Sequence, residues 1–409
     1  MKIIHANILT DGQSFKDYTI EINGTKITAV TPTRTPSADP SITFEQLKAF
    51  HDSCLDLRHT VIDMEGKDFI CPGFIDMHNH GAMMADAMDG TFEALDTIAR
   101  YHAEHGVTTF LPTTMTASSA SYETIFHLLD TFTPSVPVSI PGLHMEGPYL
   151  SKAAAGAQPT EFLLTPTDEN LNFLKKFHHH IKYMTISPDV PDIERLLDFC
   201  HDHGIIVSGG HDSAIDTEIY RAIDHHMACV THIYCCSSTI SRRNSPQKHL
   251  GLTEIGLSSP QLSCEVIADN CHIPLPLFEL IYKCKGYRKI CLVSDSIRAT
   301  GMAPGQYFLG NATDGTLADV TEDVALLPGQ NLFAGSITPI CKMVENLVSQ
   351  GHYPLEEVTY MASSAQADLL HLESKGQIKA GFDAQLNIID SQGKLLATLI
   401  HDNYQHFNF

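Results

Sequence analysis

The sequence predicts an α/β protein: a (β/α)8 barrel of the TIM type with a small β-sandwich domain formed by both chain termini. Three observations predict it. Short apolar runs alternate with amphipathic runs through the middle of the chain, the rhythm of βα units on a parallel sheet. Six of those apolar runs end in a histidine or a carboxylate. Both ends of the 409-residue chain read as short strands and turns, with no helix-length pattern in them.

At the N-terminal end the strands are Lys2–Thr10, Tyr18–Asn23 and Lys26–Pro32. A more polar stretch follows from Thr33 to Asp56, then a strand Thr60–Met64 before the Glu65-Gly66-Lys67 turn. The C-terminal end offers Ile378–Phe382, Leu386–Asp390, a Ser391-Gln392-Gly393-Lys394 turn and Leu395–His401. These segments, 1–68 and 370–409, are expected to meet as one discontinuous domain. Residues 69–369 are then the barrel. Its strands are expected at Phe69–Met77, Val107–Pro112, Val138–His144, Tyr183–Ser187, Ile205–Gly209, Cys229–His232, Leu262–Ala268 and Ile290–Ser294. Helical runs such as Thr91–Glu104, Ser121–Leu129, Asp192–His203 and Asp216–His225 fall between them, and Ile340–Gln350 follows the last. A doubly wound open sheet is the alternative, but no Gly-rich nucleotide turn follows the first strand.

Composition narrows the function. A net charge of −22 argues against a nucleic-acid groove or an anionic membrane surface as partner. It leaves room for an anionic small substrate, because a local cluster of Arg, His and backbone N–H groups can oppose the global field. No run approaches the roughly 20 apolar residues that span a bilayer. The opening Met1–Asn7 runs straight into the Asp11-Gly12 turn and does not read as a leader. The 11 cysteines are scattered, without a CxxC pair, and several lie in apolar strand patterns, which fits reduced thiols in the cytoplasm. His178-His179-His180 reads as a solvated polar cluster rather than a metal site.

The chemistry gathers at the strand ends. Pro72-Gly73-Phe74-Ile75-Asp76-Met77-His78-Asn79-His80-Gly81 reads as a buried strand ending in two histidines spaced i, i+2. Such residues point the same way on an extended chain, so His78 and His80 make half of a metal site. The later ends supply His144-Met145-Glu146-Gly147-Pro148, Gly210-His211-Asp212, Thr231-His232, Asp269-Asn270-Cys271-His272 and Ser294-Asp295-Ser296. His211 or His232 alone reads equally well as a core histidine. Asp295 ends the strongly apolar run Ile290–Val293, where a carboxylate is costly unless paired or near a cation. Nitrogen and oxygen donors of this kind suit Zn²⁺ or a similar divalent ion.

The set PGFIDMHNHG, HMEGPYL, GHD, THIY, IADNCHI and VSDS resembles the amidohydrolase superfamily, and within it the N-acetylglucosamine-6-phosphate deacetylases. The likeness covers nearly the whole chain, and HMEGP followed by a Lys and a Gly-Ala pair is its most specific part. It implies that Glu146, His211 and His232 bind one divalent ion, with His78 and His80 able to hold a second that Glu146 bridges. It implies Zn first, with Fe, Mn or Co as alternatives, one or two ions per subunit, and Asp295 as the acid-base residue. It puts His272 at the substrate and gives Arg243 the role of a phosphate-binding arginine reaching across a homodimer interface. As a bare sequence feature, Arg242-Arg243 reads equally as a solvated loop pair.

Three positions depart from the family pattern. Gln158 stands where a His usually follows Gly-Ala, Cys235-Cys236 replace an Asn-Ala pair of the sugar-phosphate site, and Arg243 is followed by Asn244-Ser245-Pro246 rather than Glu-Pro-Gly. The catalytic shell is kept and the substrate shell, Gln158, Cys235, Cys236, Arg243 and His272, is edited. The expected activity is metal-dependent hydrolysis of the acetamide of an N-acetylated amino-sugar phosphate, first N-acetylglucosamine 6-phosphate. The alternative is an amidohydrolase acting on another N-acyl sugar, an N-acyl amino acid or a cyclic amide.

Overall fold

Eight parallel strands pair in strict chain order. They are β1 (Phe74–Asn79), β2 (Val107–Thr114), β3 (Leu143–Glu146), β4 (Ile181–Ile186), β5 (Ile206–Gly209), β6 (Met227–Val230), β7 (Ser263–Val266) and β8 (Ile290–Leu292). The computed structural model describes residues 1–33, 40–48, 57–243, 246–312 and 315–408. Part of the polar stretch Thr33–Asp56, and the departures Asn244 and Ser245, lie outside these. The strands are buried along nearly all their length, as continuous apolar runs covered on both faces should be.

Helices cover the outside: α1 (Phe92–Glu104) and α2 (Ser119–Leu129) in the first two crossovers, and later α3 (Leu275–Lys285) and α4 (Ile340–Ser349). α1 shows why such runs are helical. Leu95, Ile98, Ala99 and Ala103 recur at helical spacing and are buried, and the Thr91 hydroxyl accepts from the Ala94 N–H at 3.2 Å as N-cap.

The barrel closes between β1 and β8 by a seam rather than a full ladder. The Asp295 N–H donates to the His78 carbonyl at 2.9 Å, Asn79 and Ser296 form an isolated parallel bridge, and the Ser294 hydroxyl donates to Asp76 Oδ2 at 2.5 Å.

The two chain ends build one nine-stranded sheet. Its path runs from Tyr404–Phe407 through Leu395–Ile400, Gln385–Ile389, Phe69–Pro72 and Lys2–Thr10 to Gln13–Asn23 and Lys26–Pro32. It has a core of its own, with Ile3, Ile8, Ile20, Ile62, Ile70, Leu386, Ile388 and Leu399 buried together.

Several elements differ from expectation. The strand expected over Phe69–Met77 is two strands. Phe69–Pro72 belongs to the terminal sheet and Phe74–Asn79 to the barrel, with the break at Gly73. A Cβ at Gly73 would lie 2.2 Å from Thr108 Oγ1, so only glycine lets the chain pass from one sheet to the other there. Ile378–Phe382 is not a strand. The chain turns, with Gly381 at φ +90° and the Phe382 N–H on the Lys379 carbonyl, while Ile378 still enters the core. An antiparallel sheet of Gly305–Leu309, Thr316–Val320 and Ala325–Leu326 was not expected, nor was the last strand, Tyr404–Phe407.

Candidate metal centre and catalytic pocket

The C-terminal mouth of the barrel brings together His78, His80, Glu146, His211, His232 and Asp295. His78 lies in β1 and His80 just beyond it; Glu146 is the last residue of β3. His211, His232 and Asp295 follow β5, β6 and β8 within three residues. These last three all have left-handed backbone, φ +47°, +25° and +46°. A non-glycine residue held there costs about 1–3 kcal/mol, so the surrounding fold imposes the geometry. Glu146 is turned into the mouth by Gly147, at φ +79°, where a Cβ would meet Thr116 Oγ1 at 2.2 Å.

The donor atoms converge on one another. Glu146 Oε1 lies 3.1 Å from His211 Nε2, 3.2 Å from His232 Nε2 and 3.6 Å from His78 Nε2. Its other oxygen lies 3.3 Å from His80 Nε2. Asp295 Oδ1 stands 3.4 Å from His78 Nε2 and 3.3 Å from His80 Nε2.

These contacts fit a cation. The Nδ1 of His211 faces the Ala154 carbonyl at 3.1 Å and must carry the ring proton in a neutral imidazole. Its Nε2 is then a lone pair, yet it faces Glu146 Oε1 and His232 Nε2, the latter 3.2 Å away. His78 is arranged likewise, with Nδ1 2.9 Å from Glu265 Oε2 and a buried Nε2 that has no hydrogen-bond partner. Lone pairs converging in a buried space repel unless protons or a metal ion lie between them.

Electrostatics give the same picture. Burial alone would lower His78 and His80, but it is outweighed. Glu265, Asp295 and Glu146 push His78 up to about 9, and Asp295 and Glu146 push His80 up to about 10. Burial works to raise Glu146 and Asp295, yet the imidazoles around them hold both carboxyls below their usual range. The centre therefore keeps its carboxylates ionised and attracts positive charge.

Two carboxylates behind the ligands were missed. Glu265, fully buried in β7, accepts from His78 Nδ1 and from the His232 N–H at 3.1 Å, orienting the His78 ring and fixing the backbone of His232. Asp76, fully buried in β1, is pushed up to about 7 by burial and holds the seam. Both announce themselves in the sequence as a single acid inside an apolar strand, Ser263-Cys264-Glu265-Val266 and Phe74-Ile75-Asp76-Met77, where an acid is costly without a partner. His144, at the end of β3, is not a ligand: its nitrogens pair with Thr113 at 3.2 Å and Thr185 at 2.9 Å.

The expected substrate residues divide. Gln158, Cys235, Cys236 and His272 all line the pocket, with Leu309 and Phe333. His272 packs at a tilt against Phe333, ring centres 4.0 Å apart, and its Nδ1 pairs with Asp269 Oδ2 at 2.7 Å, leaving Nε2 for a ligand. Burial pushes the Cys235 thiol up, so it is un-ionised at neutral pH. The Gln158 amide is already engaged. It donates to Glu146 Oε2 at 2.6 Å and accepts the Thr116 N–H at 2.7 Å, so its polar atoms are taken up by that carboxylate and the backbone. Arg243 is not brought to this pocket; it pairs with Glu218 at 2.6 Å on the surface. Among the described lining residues there is no Lys or Arg.

A parallel barrel whose C-terminal mouth gathers imidazoles and carboxylates around a place for a cation is a hydrolase barrel of the metal-using class. The chain belongs to the amidohydrolase family, which matches residues 69–409. Within it, the chain falls among the N-acetylglucosamine-6-phosphate deacetylases. The enzyme of that name from Lysinibacillus sphaericus is 34% identical over 348 residues, 83% of this chain and 86% of the relative. The N-acetylglucosamine-6-phosphate deacetylase of Pasteurella multocida shares the fold, with a TM-score of 0.85 at 22% identity over 100% of this chain and 99% of that one. The mutant Mycobacterium smegmatis enzyme, in complex with N-acetyl-D-glucosamine-6-phosphate, shares it at TM-score 0.84 and 21% identity over 99% and 98%.

Proposed function

We propose that this protein hydrolyses the acetamide of N-acetylglucosamine 6-phosphate to acetate and glucosamine 6-phosphate. The observation that carries the proposal is the convergence of Glu146, His211, His232, His78, His80 and Asp295 at one barrel mouth, in a chain 34% identical to an enzyme named for that reaction.

Glu146, His211 and His232 would hold one divalent ion, and His78 and His80 a second; zinc is the first candidate, with Fe, Mn or Co possible. Such an ion supplies a lowered water pKa and a polarised acyl carbonyl when bound. The rest is done by the chain. Asp295, kept ionised, takes the proton of the attacking water as its oxygen adds to the carbonyl carbon. It then gives that proton to the amide nitrogen as the carbon–nitrogen bond breaks, so that nitrogen leaves as an amine. Gln158 holds Glu146 with one oxygen toward His211 and His232 and the other toward His80. His272, fixed by Asp269, presents Nε2 to the substrate. We also propose a division of the chain at about residues 68 and 370, a homodimer that brings the partner's Arg243 to the phosphate, and a cytoplasmic location.

The test is acetate release from N-acetylglucosamine 6-phosphate, with and without added Zn²⁺ and after chelation. Fast, chelator-sensitive release is expected, and Arg243→Ala should raise KM for the phosphorylated sugar far more than for the free sugar. A second reading, a different N-acyl substrate, is favoured by one observation: the described pocket lining has thiols and no Lys or Arg. No release from metal-loaded protein, with release from an unphosphorylated N-acyl compound, would establish it instead.

A further inference from the structure

We propose that the protein carries a second, non-catalytic divalent-metal site on the opposite face of the barrel, built from Asp130, His179 and His180. Asp130 caps the C-terminal end of α2, and His178–His180 is the single 3-10 turn that leads into β4. The cluster is therefore at the N-terminal face of the strands, and none of its residues lines the catalytic pocket.

One donor atom from each of the three residues lies within 4.8 Å of the other two. His180 Nε2 is the telling atom. It is buried and stands 2.9 Å from Asp130 Oδ1, without a well-aligned hydrogen bond between the two. An imidazole nitrogen this close to a carboxylate oxygen has the spacing of two ligands on one ion. The ring is held in place from both sides, stacked on Phe126 with 10° between planes and packed against His179 at 4.1 Å. His179 is exposed and can rotate to complete the set. His127, three residues before Asp130, has Nδ1 3.4 Å from Asp130 Oδ2 and so holds the other oxygen of that carboxylate. A cavity of about 260 Å³ bordered by His179, His180 and Gly142 has room for water at any remaining coordination position.

Two imidazoles and one carboxylate suit Zn²⁺, Co²⁺ or Ni²⁺ rather than Mg²⁺ or Ca²⁺. An ion there would clip the end of α2 to the turn before β4 and stabilise the folded chain by mass action.

The experiment uses the untagged full-length protein, stripped of loosely held metal and equilibrated with micromolar ZnCl₂. Zinc per chain is counted by elemental mass spectrometry in the wild type, His179→Gln and Asp130→Asn. Both side chains are solvent-accessible, so folding should survive, and His180 is left in its packing. Each variant is expected to hold one zinc fewer per chain than the wild type, to lose part of the zinc-induced rise in Tm, and to turn over substrate unchanged. Equal zinc content in all three proteins would overturn the proposal. That result is distinct from failure of the catalytic reading, which would show as absent acetate release whatever the zinc count.

Discussion

In the terminal sheet, Ile70, Leu386, Ile388 and Leu399 are buried by contact with one another; at the barrel mouth, His78, Glu146, His211 and Asp295 are buried by contact with opposite charge. The first arrangement asks of each residue a volume and a face. The second asks for particular atoms at particular distances, and holds three residues in left-handed backbone to obtain them. The difference teaches that equal burial does not mean equal tolerance. The sheet should forgive shape-preserving changes and punish only lost volume, while the mouth should punish isosteric changes that leave volume untouched.

The largest expected effect is Asp295→Asn, a change of almost no volume. Turnover should fall by about 10³-fold, the scale of a lost general acid-base group, with the metal content kept. An active Asn variant would remove the acid-base role. Next is Ile388→Ala in the sheet, expected to cost about 2–5 kcal/mol in chemical denaturation while kcat of the folded protein stays unchanged. If kcat falls in step with stability, the two regions are not separable. Third, Glu265→Gln should weaken metal binding by about 10–100-fold in chelator competition, because a neutral amide supports His78 less well than a carboxylate. Unchanged affinity would mean that Glu265 only fills space.

The smallest effect sharpens the comparison through pH. In the metal-stripped protein, His78 and His80 have folded pKa values of about 9 and about 10, above the ordinary 6.5. Their contribution to stability is complete below about pH 6.5 and is lost as pH rises through those higher values. The metal-free midpoint of denaturation should therefore fall between neutral pH and about pH 10, and zinc uptake near neutral pH should release protons. A flat midpoint would mean that the carboxylates do not hold those protons.

Much of this was legible in the sequence, for identifiable reasons. Barrel strands and helices declare themselves by periodicity, and the ligands stand at strand ends, where Gly147 and Gly210 mark the turns. Glu265 and Asp76 escaped because attention to strand ends overlooks an acid within a strand, although its cost of burial is the same signal. Phe69–Met77 was read through Gly73 because both halves are apolar; only the approach of Thr108 shows that they belong to different sheets. Gln158 lines the pocket as expected, but a sequence cannot show that its amide is already bonded to Glu146. Arg243 sits at the surface with Glu218 and does not line the pocket.

The seam has a consequence in time as well as in space. Asp76 and Ser294 are 218 residues apart in the chain, and the His78 carbonyl meets the Asp295 N–H across a similar interval. Loop closure over that length is slow and comes late. While the protein is being synthesised, the stretch holding His78 and His80 emerges early and waits, without Asp295, until more than two hundred further residues have followed. A chain cut short anywhere before β8 lacks both Asp295 and the seam that ties the His78 backbone. On the proposed mechanism, catalytic competence arrives with the closing of the barrel, and a prematurely terminated product should be inert.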